Sequence, residues 1–93
     1  MEIILKRKFI KEAGKLPSKV QKSIRDIIDT LERSESLETS GVDYIAMEGQ
    51  QKGDNYYRIR VGQWRIGIQY VEPSLIFITV LSRGDVYKKF PPK

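Results

Sequence analysis

Hydrophobic residues follow two different spacings along this chain. In the first third they recur every three or four residues, the period of a helix with one apolar side. These positions are Val20, Ile24, Ile27, Ile28 and Leu31. Pro17 suits the first residue of this helix, because its missing N–H is not needed there, and we expect the helix to end near Arg33. Between residues 56 and 70 apolar and polar residues alternate, which predicts β-strands.

The remaining pattern predicts an α+β fold with the order β-α-α-β-β-β-β. A short strand at residues 2–5 and a helix at 7–15 precede the long helix, and strands follow at 44–47, 56–61, 64–70 and 75–81. Pro73-Ser74 is predicted to form a turn, and the tail leaves the sheet through Gly84 and stops at Pro91-Pro92. Two N-terminal helices are therefore expected to pack on a mostly antiparallel sheet of four to five strands, within a single domain spanning residues 1–93.

Gly62-Gln63 lies between the two alternating segments and suits a type II′ hairpin turn. Such a turn fixes which residues of the two strands stand opposite each other. The predicted pairs are Val61 with Trp64, Arg60 with Arg65, Ile59 with Ile66 and Arg58 with Gly67. One face then carries the apolar positions from Tyr57 to Tyr70 and is expected to face the helices. The opposite face carries Tyr56, Arg58, Arg60, Arg65, Gly67 and Gln69.

Three arginines on one face repel one another. With Arg60 directly opposite Arg65, their like charges destabilise the antiparallel pair of strands by up to about 1 kcal/mol. A bound phosphate would remove this repulsion, because guanidinium groups match phosphate oxygens in pairs. Gly67, inside a strand, is typical of a site that a ligand or another backbone approaches closely. The alternative is that each arginine reaches a carboxylate, such as Glu72 or Glu48, or extends into water.

Composition adds a charge argument. The chain has 93 residues and a net charge of +5. Residues 1–47 hold nine basic and eight acidic side chains, whereas residues 48–93 hold eight basic and four acidic ones. The excess thus lies in the half that contains the arginines, which favours a polyanionic partner, nucleic acid first.

Several chemistries are disfavoured by what the chain lacks. There is no cysteine and no histidine, so a zinc site would need carboxylates alone and the commonest acid–base group is missing. No apolar run approaches the roughly 20 residues that span a bilayer. The N-terminus MEIILKRKF has only four apolar residues before its charges, unlike a signal peptide. A cytosolic protein without membrane contact is the expectation.

The tail after the last strand adds further candidates. Arg83 is expected to emerge at one end of the arginine face, and Tyr87 follows four residues later. Tyr87 is either a phenol exposed for base stacking or proton transfer, or a ring that caps the core beside Phe90. The predicted RNA-binding residues around this centre are Lys52, Tyr56, Lys88 and Lys89.

The chain resembles the RelE/ParE superfamily of toxins from bacterial toxin–antitoxin pairs. The resemblance is carried by LPSKVQKSIRDIIDTL, YYRIRVGQWRIGIQY and VLSRGDVYKKFP, and it covers nearly the whole chain. Its most specific part is Y-R-I-R-V-G-x-W-R-I, followed by an apolar strand and R-x-x-x-Y. It implies a RelE-like fold and a toxin held inactive by a cognate antitoxin.

The RelE-type members cut messenger RNA, often in the ribosomal A site. A ribose 2′-OH attacks the adjacent phosphate and leaves a 2′,3′-cyclic phosphate and a 5′-OH. The resemblance thus implies a metal-independent endoribonuclease with no cofactor, whose partners are mRNA and the ribosome. Its catalytic residues would be Arg58, Arg60, Arg65, Arg83 and Tyr87.

The chain departs from the family at three of these positions. Several ribosome-dependent members have lysine in place of Arg58 and Arg60, and many have histidine in place of Ser82. Arginine stays protonated and is no base, so Tyr87 is the best candidate for one. Catalysis that is mostly electrostatic, with the ribosome orienting the 2′-OH, is the alternative.

Two other functions remain open at this point. ParE-type members inhibit DNA gyrase by binding it, which needs no cluster of phosphate-binding arginines. A basic domain that binds RNA without cutting it is the third reading.

Overall fold

The computed structural model describes residues 1–91 and contains five strands and three helices. The strands are β1 (Glu2–Leu5), β2 (Tyr44–Ala46), β3 (Tyr56–Val61), β4 (Trp64–Val71) and β5 (Ser74–Ser82). The helices are α1 (Arg7–Gly14), α2 (Ser18–Arg33) and α3 (Val86–Lys89). Pro92 and Lys93 lie outside the described residues, and so does the second proline of the predicted Pro91-Pro92 stop.

The strands form one sheet in the order β1-β5-β4-β3-β2. All neighbouring pairs are antiparallel except β1 with β5, which is parallel because α1 and α2 and the strands after them intervene. The predicted α+β fold, with two N-terminal helices and a mostly antiparallel sheet, is confirmed. The strand predicted at residues 75–81 is indeed interior, since β5 lies between β1 and β4.

The main core lies between the two N-terminal helices and one face of the sheet. Phe9 of α1 meets Phe77 of β5 edge to face, with ring centroids 5.3 Å apart. Ile24 and Leu31, two members of the predicted helical stripe, are buried in α2. The sheet contributes Ile59, Ile66, Ile68, Leu75, Phe77 and Val80. Burial of these side chains stabilises the fold by roughly 1.5–3 kcal/mol for each large apolar residue.

The Gly62-Gln63 turn has the register that the sequence predicts. Val61 pairs with Trp64, and Arg60 pairs with Arg65. Gly62 has a φ of 58°, which a type II′ turn requires at its first central residue and which glycine adopts without steric cost. The apolar partners of the hairpin, Ile59 and Ile66, are fully buried, so all the arginines of the hairpin are directed to the other face.

The second hairpin turn differs from the predicted one by a single residue. Val71 pairs with Ser74, so the turn consists of Glu72-Pro73 and Ser74 already belongs to β5. Proline has no N–H to donate to the ladder, which places Pro73 in the turn, whereas serine continues the strand.

Helix α3 was not predicted from the sequence, and it covers part of the arginine face. Its first residue, Val86, is fully buried, and Phe90 just after it is 3% exposed. These two side chains form a second core cluster with Met47 and Leu81. Tyr56 packs edge to face on Phe90, with ring centroids 5.4 Å apart.

The group that lies against Gly67 is a side chain of this second core cluster, and Gly67 does not face an open ligand site. A Cβ built at Gly67 would lie 2.8 Å from Cδ1 of Phe90. The expectation that a glycine here marks close approach is right, but the approaching group is an aromatic ring of the same chain. Any side chain at this position would displace Phe90, and with it α3.

No helix in residues 1–91 is long and apolar enough to span a membrane.

We predict that Gly67→Ala destabilises the protein by about 1–3 kcal/mol, because the added methyl group overpacks the contact with Phe90. Urea unfolding measures the change. Gly14→Ala is the matched control, since nothing lies within 4 Å of a Cβ at Gly14, and it should leave the free energy of unfolding unchanged or raised. If Gly67→Ala lowered the free energy of unfolding by the same amount in a Phe90→Leu background as in the parent protein, the proposed clash with Phe90 would be contradicted.

Candidate active site

Side chains from four parts of the chain meet in a shallow cleft on the outer face of the sheet. We call it the arginine cleft. Its volume is about 330 Å³, and its lining residues are Asp43, Tyr44, Ile45, Arg58, Arg60, Arg65, Arg83 and Tyr87. All five predicted catalytic residues are therefore close together, although 29 positions separate the first from the last.

Arg58 stands at the centre of β3 and is half-buried. Its guanidinium carbon lies 4.9 Å from the centroid of the Tyr87 ring, a cation–π contact. Its Nη1 donates a weak hydrogen bond to the sulfur of Met47, 3.8 Å away. Arg58 thus joins the strand to α3 and holds the ring of Tyr87 beside the cleft.

Arg60 is paired with a carboxylate that the sequence analysis did not single out. Its Nε donates to Oδ2 of Asp43 at 2.7 Å, and its backbone N–H donates to the carbonyl of Asp43 at 3.0 Å. Both side chains are exposed, 64% for Arg60 and 59% for Asp43, so the pair adds little to stability. The hydrogen bond to Asp43 uses Nε, and within residues 1–91 neither terminal nitrogen of the Arg60 guanidinium donates a hydrogen bond, so both can bind another anion.

Glu72 and Glu48, the carboxylates that the alternative reading offered as partners, form no ion pair with these arginines. Within residues 1–91 the ion pairs are Lys22 with Asp26 and Arg60 with Asp43. The other three arginines of the cleft therefore form no ion pair with a carboxylate of the described residues. Asp43 could have been found only by knowing how β2 pairs with β3, because that register places it opposite Arg60.

Arg65 is held by the turn that precedes it. Its Nη1 donates to the carbonyl of Gly62 and to the carbonyl of Trp64, both at 2.8 Å. Burial lowers the pKa of Arg65, and the charges of Arg83 and Arg60 lower it further, while Tyr87 opposes the change. These neighbours confirm that the guanidinium groups share one electrostatic environment, in which a bound anion would relieve their repulsion.

Arg83 and Tyr87 follow β5. The backbone N–H of Arg83 donates to the carbonyl of Gln63 at 2.9 Å, which ties the end of β5 to the hairpin turn beside Arg65. Ser82 accepts a hydrogen bond from the N–H of Asp85 through its Oγ at 3.3 Å and so supports the bend into α3. Tyr87 is 60% exposed, whereas Phe90 is buried. Of the two alternatives for Tyr87, the structure thus shows the exposed phenol and not the ring that caps the core.

Comparison with known proteins identifies the family. The chain is 36% identical over 91 residues to Toxin RelE3 of Methanocaldococcus jannaschii, a match that covers 98% of this chain and all of that protein. The chain belongs to the RelE family of toxins. None of the protein-family models searched matches it.

Solved structures of RelE toxins have the same fold. The toxin in a RelB-RelE antitoxin–toxin complex from Methanococcus jannaschii matches with a TM-score of 0.78 and 35% identity, over 95% of this chain and 99% of that one. An archaeal RelE-RelB complex from Pyrococcus horikoshii matches with a TM-score of 0.69 and 22% identity, over 89% and 94% of the two chains.

Two of the four predicted RNA-binding residues of this RelE toxin, Tyr56 and Lys88, line a second cleft. This cleft, about 480 Å³, is lined by Tyr56, Tyr87 and Lys88 together with the loop after β2. Tyr87 also lines the arginine cleft, so its ring separates the two. Tyr56 is half-buried against Phe90, which leaves only part of its ring accessible. Lys52 and Lys89 are exposed, and neither lines these clefts.

In the described part of the toxin, no group of three or more acidic side chains stands close enough together to hold a metal ion. The chain contributes no cysteine or histidine to such a site.

Proposed function

We propose that this RelE toxin is an endoribonuclease that cleaves messenger RNA on the ribosome. The single observation that carries the proposal is the convergence of Arg58, Arg60, Arg65 and Arg83 with the exposed Tyr87 in one cleft. Guanidinium groups bind phosphate in pairs of hydrogen bonds, and three of the four have no carboxylate partner within residues 1–91.

The reaction would begin with attack of a ribose 2′-OH on the adjacent phosphorus. The phosphorus–5′-oxygen bond breaks, which leaves a 2′,3′-cyclic phosphate on one fragment and a 5′-OH on the other. The phosphorane gains negative charge as it forms, and the fixed cations of the arginine cleft would stabilise it. Arg65 is already held by the carbonyls of Gly62 and Trp64, so little reorganisation would be needed.

Three side chains that line the cleft carry a group that can exchange a proton, because arginine stays protonated. Tyr44 packs against the main core, which leaves two candidates. The hydroxyl of Tyr87 is the first, on a ring held at 4.9 Å from the guanidinium carbon of Arg58. The carboxylate of Asp43 is the second, although Oδ2 already accepts from Arg60. We assign the proton transfer to Tyr87 and assign Asp43 to positioning Arg60. The carboxylate of Asp43 holds the side chain of Arg60, and the backbone carbonyl of Asp43 holds the backbone of Arg60.

The partners follow from the same proposal. RelE of Methanococcus jannaschii and of Pyrococcus horikoshii each form a complex with RelB, and we propose a cognate antitoxin for this toxin as well. A net charge of +5 and an arginine-lined cleft suit an acidic antitoxin segment that covers the cleft or displaces α3. A toxin that acts on mRNA and the ribosome would work in the cytosol.

We predict that Arg83→Ala and Arg65→Ala each lower the cleavage rate by about 10² to 10³, because each removes one donor from the phosphorane. The measurement is mapping of 5′-OH ends and cyclic phosphates after induction, alongside growth arrest. Arg83→Ala is the cleaner variant, because Arg65→Ala also removes hydrogen bonds to the turn. Arg33→Ala, an exposed arginine on α2, is the control and should leave cleavage unchanged.

Full toxicity of a folded Arg83→Ala variant would contradict the role of the arginine cleft. DNA damage with intact mRNA would instead point to gyrase inhibition. RNA binding without any cyclic-phosphate product, ribosomes included, would point to a domain that binds without cutting.

We predict that Asp43→Asn separates binding from turnover. Loss of the carboxylate leaves one more uncompensated cation in the cleft, so KM for a short RNA should fall about two- to fivefold at low salt. Arg60 is then no longer fixed, and kcat should fall roughly tenfold. Asp43→Glu, which keeps the charge, should restore part of kcat. An unchanged kcat, or a KM that rises, would show that Asp43 does not act through Arg60.

A further inference from the structure

A second set of cations lies on α1, far along the chain from the arginine cleft. We call it the α1 cation patch, and its members are Lys6, Arg7, Lys8, Lys11 and Lys15. Between residues 6 and 15 there are five cations and one carboxylate, whereas α2 contains four cations and three carboxylates. Because residues 1–47 together carry almost equal numbers of basic and acidic side chains, the local excess of cations on α1 does not show in the total charge of that half.

The single carboxylate of α1 does not neutralise the patch. Oε1 of Glu12 accepts hydrogen bonds from the hydroxyl of Thr79 and from the backbone N–H of Val80, both in β5. Glu12 is therefore directed to the sheet. Among the residues that the structure describes, no cation of α1 forms an ion pair.

This arrangement opposes the stability of the helix. Lys6 stands at the N-cap without a side-chain cap, and the first turn contains Arg7 and Lys8 and no acidic residue. Cations at this end oppose the helix dipole. Arg7, Lys11 and Lys15 also follow one another at intervals of four residues, which places like charges side by side. A polyanion bound to the patch would offset both effects.

The patch and the arginine cleft lie on opposite faces of the sheet. Phe9 of α1 packs on Phe77, on the core face, and the cleft lies on the other face near β2 and β3. The smallest dimension of the molecule is 22 Å. A single strand in the cleft would have to pass around the edge of the sheet to reach the patch, so we treat the partner of the patch as a separate element.

The chemistry of the patch favours a nucleic acid backbone. A groove of about 420 Å³ runs along it, lined by Arg7, Lys8, Lys11, Glu12 and Lys15. No aromatic side chain lines this groove, so it lacks the stacking surface by which single-stranded bases are usually bound. Lysine is depleted at protein–protein interfaces, whereas strongly positive surfaces are typical of nucleic acid interfaces. Phe9, the buried apolar residue of α1, packs on the sheet, and the one large apolar side chain that α1 exposes is Ile10, which is too little for insertion into a membrane.

We propose that the α1 cation patch is a docking surface for the phosphate backbone of double-stranded RNA. The toxin would hold a structured RNA on one face while the other face receives the single strand to be cut. The part of the proposal that concerns duplex binding is independent of the proposed ribonuclease activity.

The test is binding to a blunt RNA duplex of about 16 base pairs, titrated between about 50 and 200 mM salt. The triple variant Lys8→Gln, Lys11→Gln, Lys15→Gln should weaken the Kd at least about tenfold and reduce the slope of log K against log salt by about 2 to 3. Glutamine is nearly as good a helix former as lysine, so the variant should fold with a Tm no lower than the parent.

The matched control removes the same charge from α2, through Lys22→Gln, Arg25→Gln and Arg33→Gln. It should change the Kd and the slope much less. Equal losses in the two triple variants would show that only net charge matters and would overturn the proposal, and so would unchanged duplex binding by the α1 variant. Selective loss of binding to anionic vesicles or to the antitoxin, with duplex binding intact, would also overturn it.

Cleavage assays separate this inference from the proposed function. A toxin that cuts no RNA but loses duplex affinity only in the α1 variant supports the patch and contradicts the nuclease. A toxin that cuts RNA while the α1 variant binds duplex normally contradicts the patch alone.

Discussion

Pairing of β3 with β4 is the constraint on which the rest of this toxin depends. The pairs alternate between Ile59 with Ile66, which is buried, and Arg60 with Arg65, which faces outward. A slip of one residue would bury guanidinium groups in an apolar core, at a cost far greater than their mutual repulsion. The hydrophobic core therefore holds the arginines together on the outer face, where a bound anion would relieve their repulsion.

The C-terminal segment contributes Tyr87 to the arginine cleft, because it packs back across the outer face of the sheet. Phe90 fits against the sheet because Gly67 has no side chain, and this contact anchors α3 across the outer face. With Phe90 and Val86 buried, Tyr87 between them projects toward Arg58 and the cleft. The same segment is thus both a cover for the second core cluster and the support of a predicted catalytic side chain.

Positive charge is concentrated on two faces of the fold, and the cations differ in how they are held. Arg65 is held by the carbonyls of Gly62 and Trp64, and Arg60 by the carboxylate of Asp43, as the proposed transition-state site would require. The lysines of α1 are exposed and form no ion pair within the described residues, which would suit contact with a nucleic acid backbone of varied geometry. A RelE toxin with both features would bind a structured RNA and an exposed single strand at once.

The sequence by itself determined the helical stripe of α2, the two alternating strands, the hairpin register and the shared face of Arg58, Arg60 and Arg65. These features follow from periods of 3.6 and 2 and from one glycine turn, which are local properties of the chain. Only the tertiary structure decided what lies against that face: Phe90 at Gly67, Asp43 at Arg60 and Tyr87 at Arg58. Each of these contacts joins segments that are distant in sequence, through the pairing of β2 with β3 and the return of α3 across the sheet. No local spacing encodes such contacts, because they depend on how separate elements pack together.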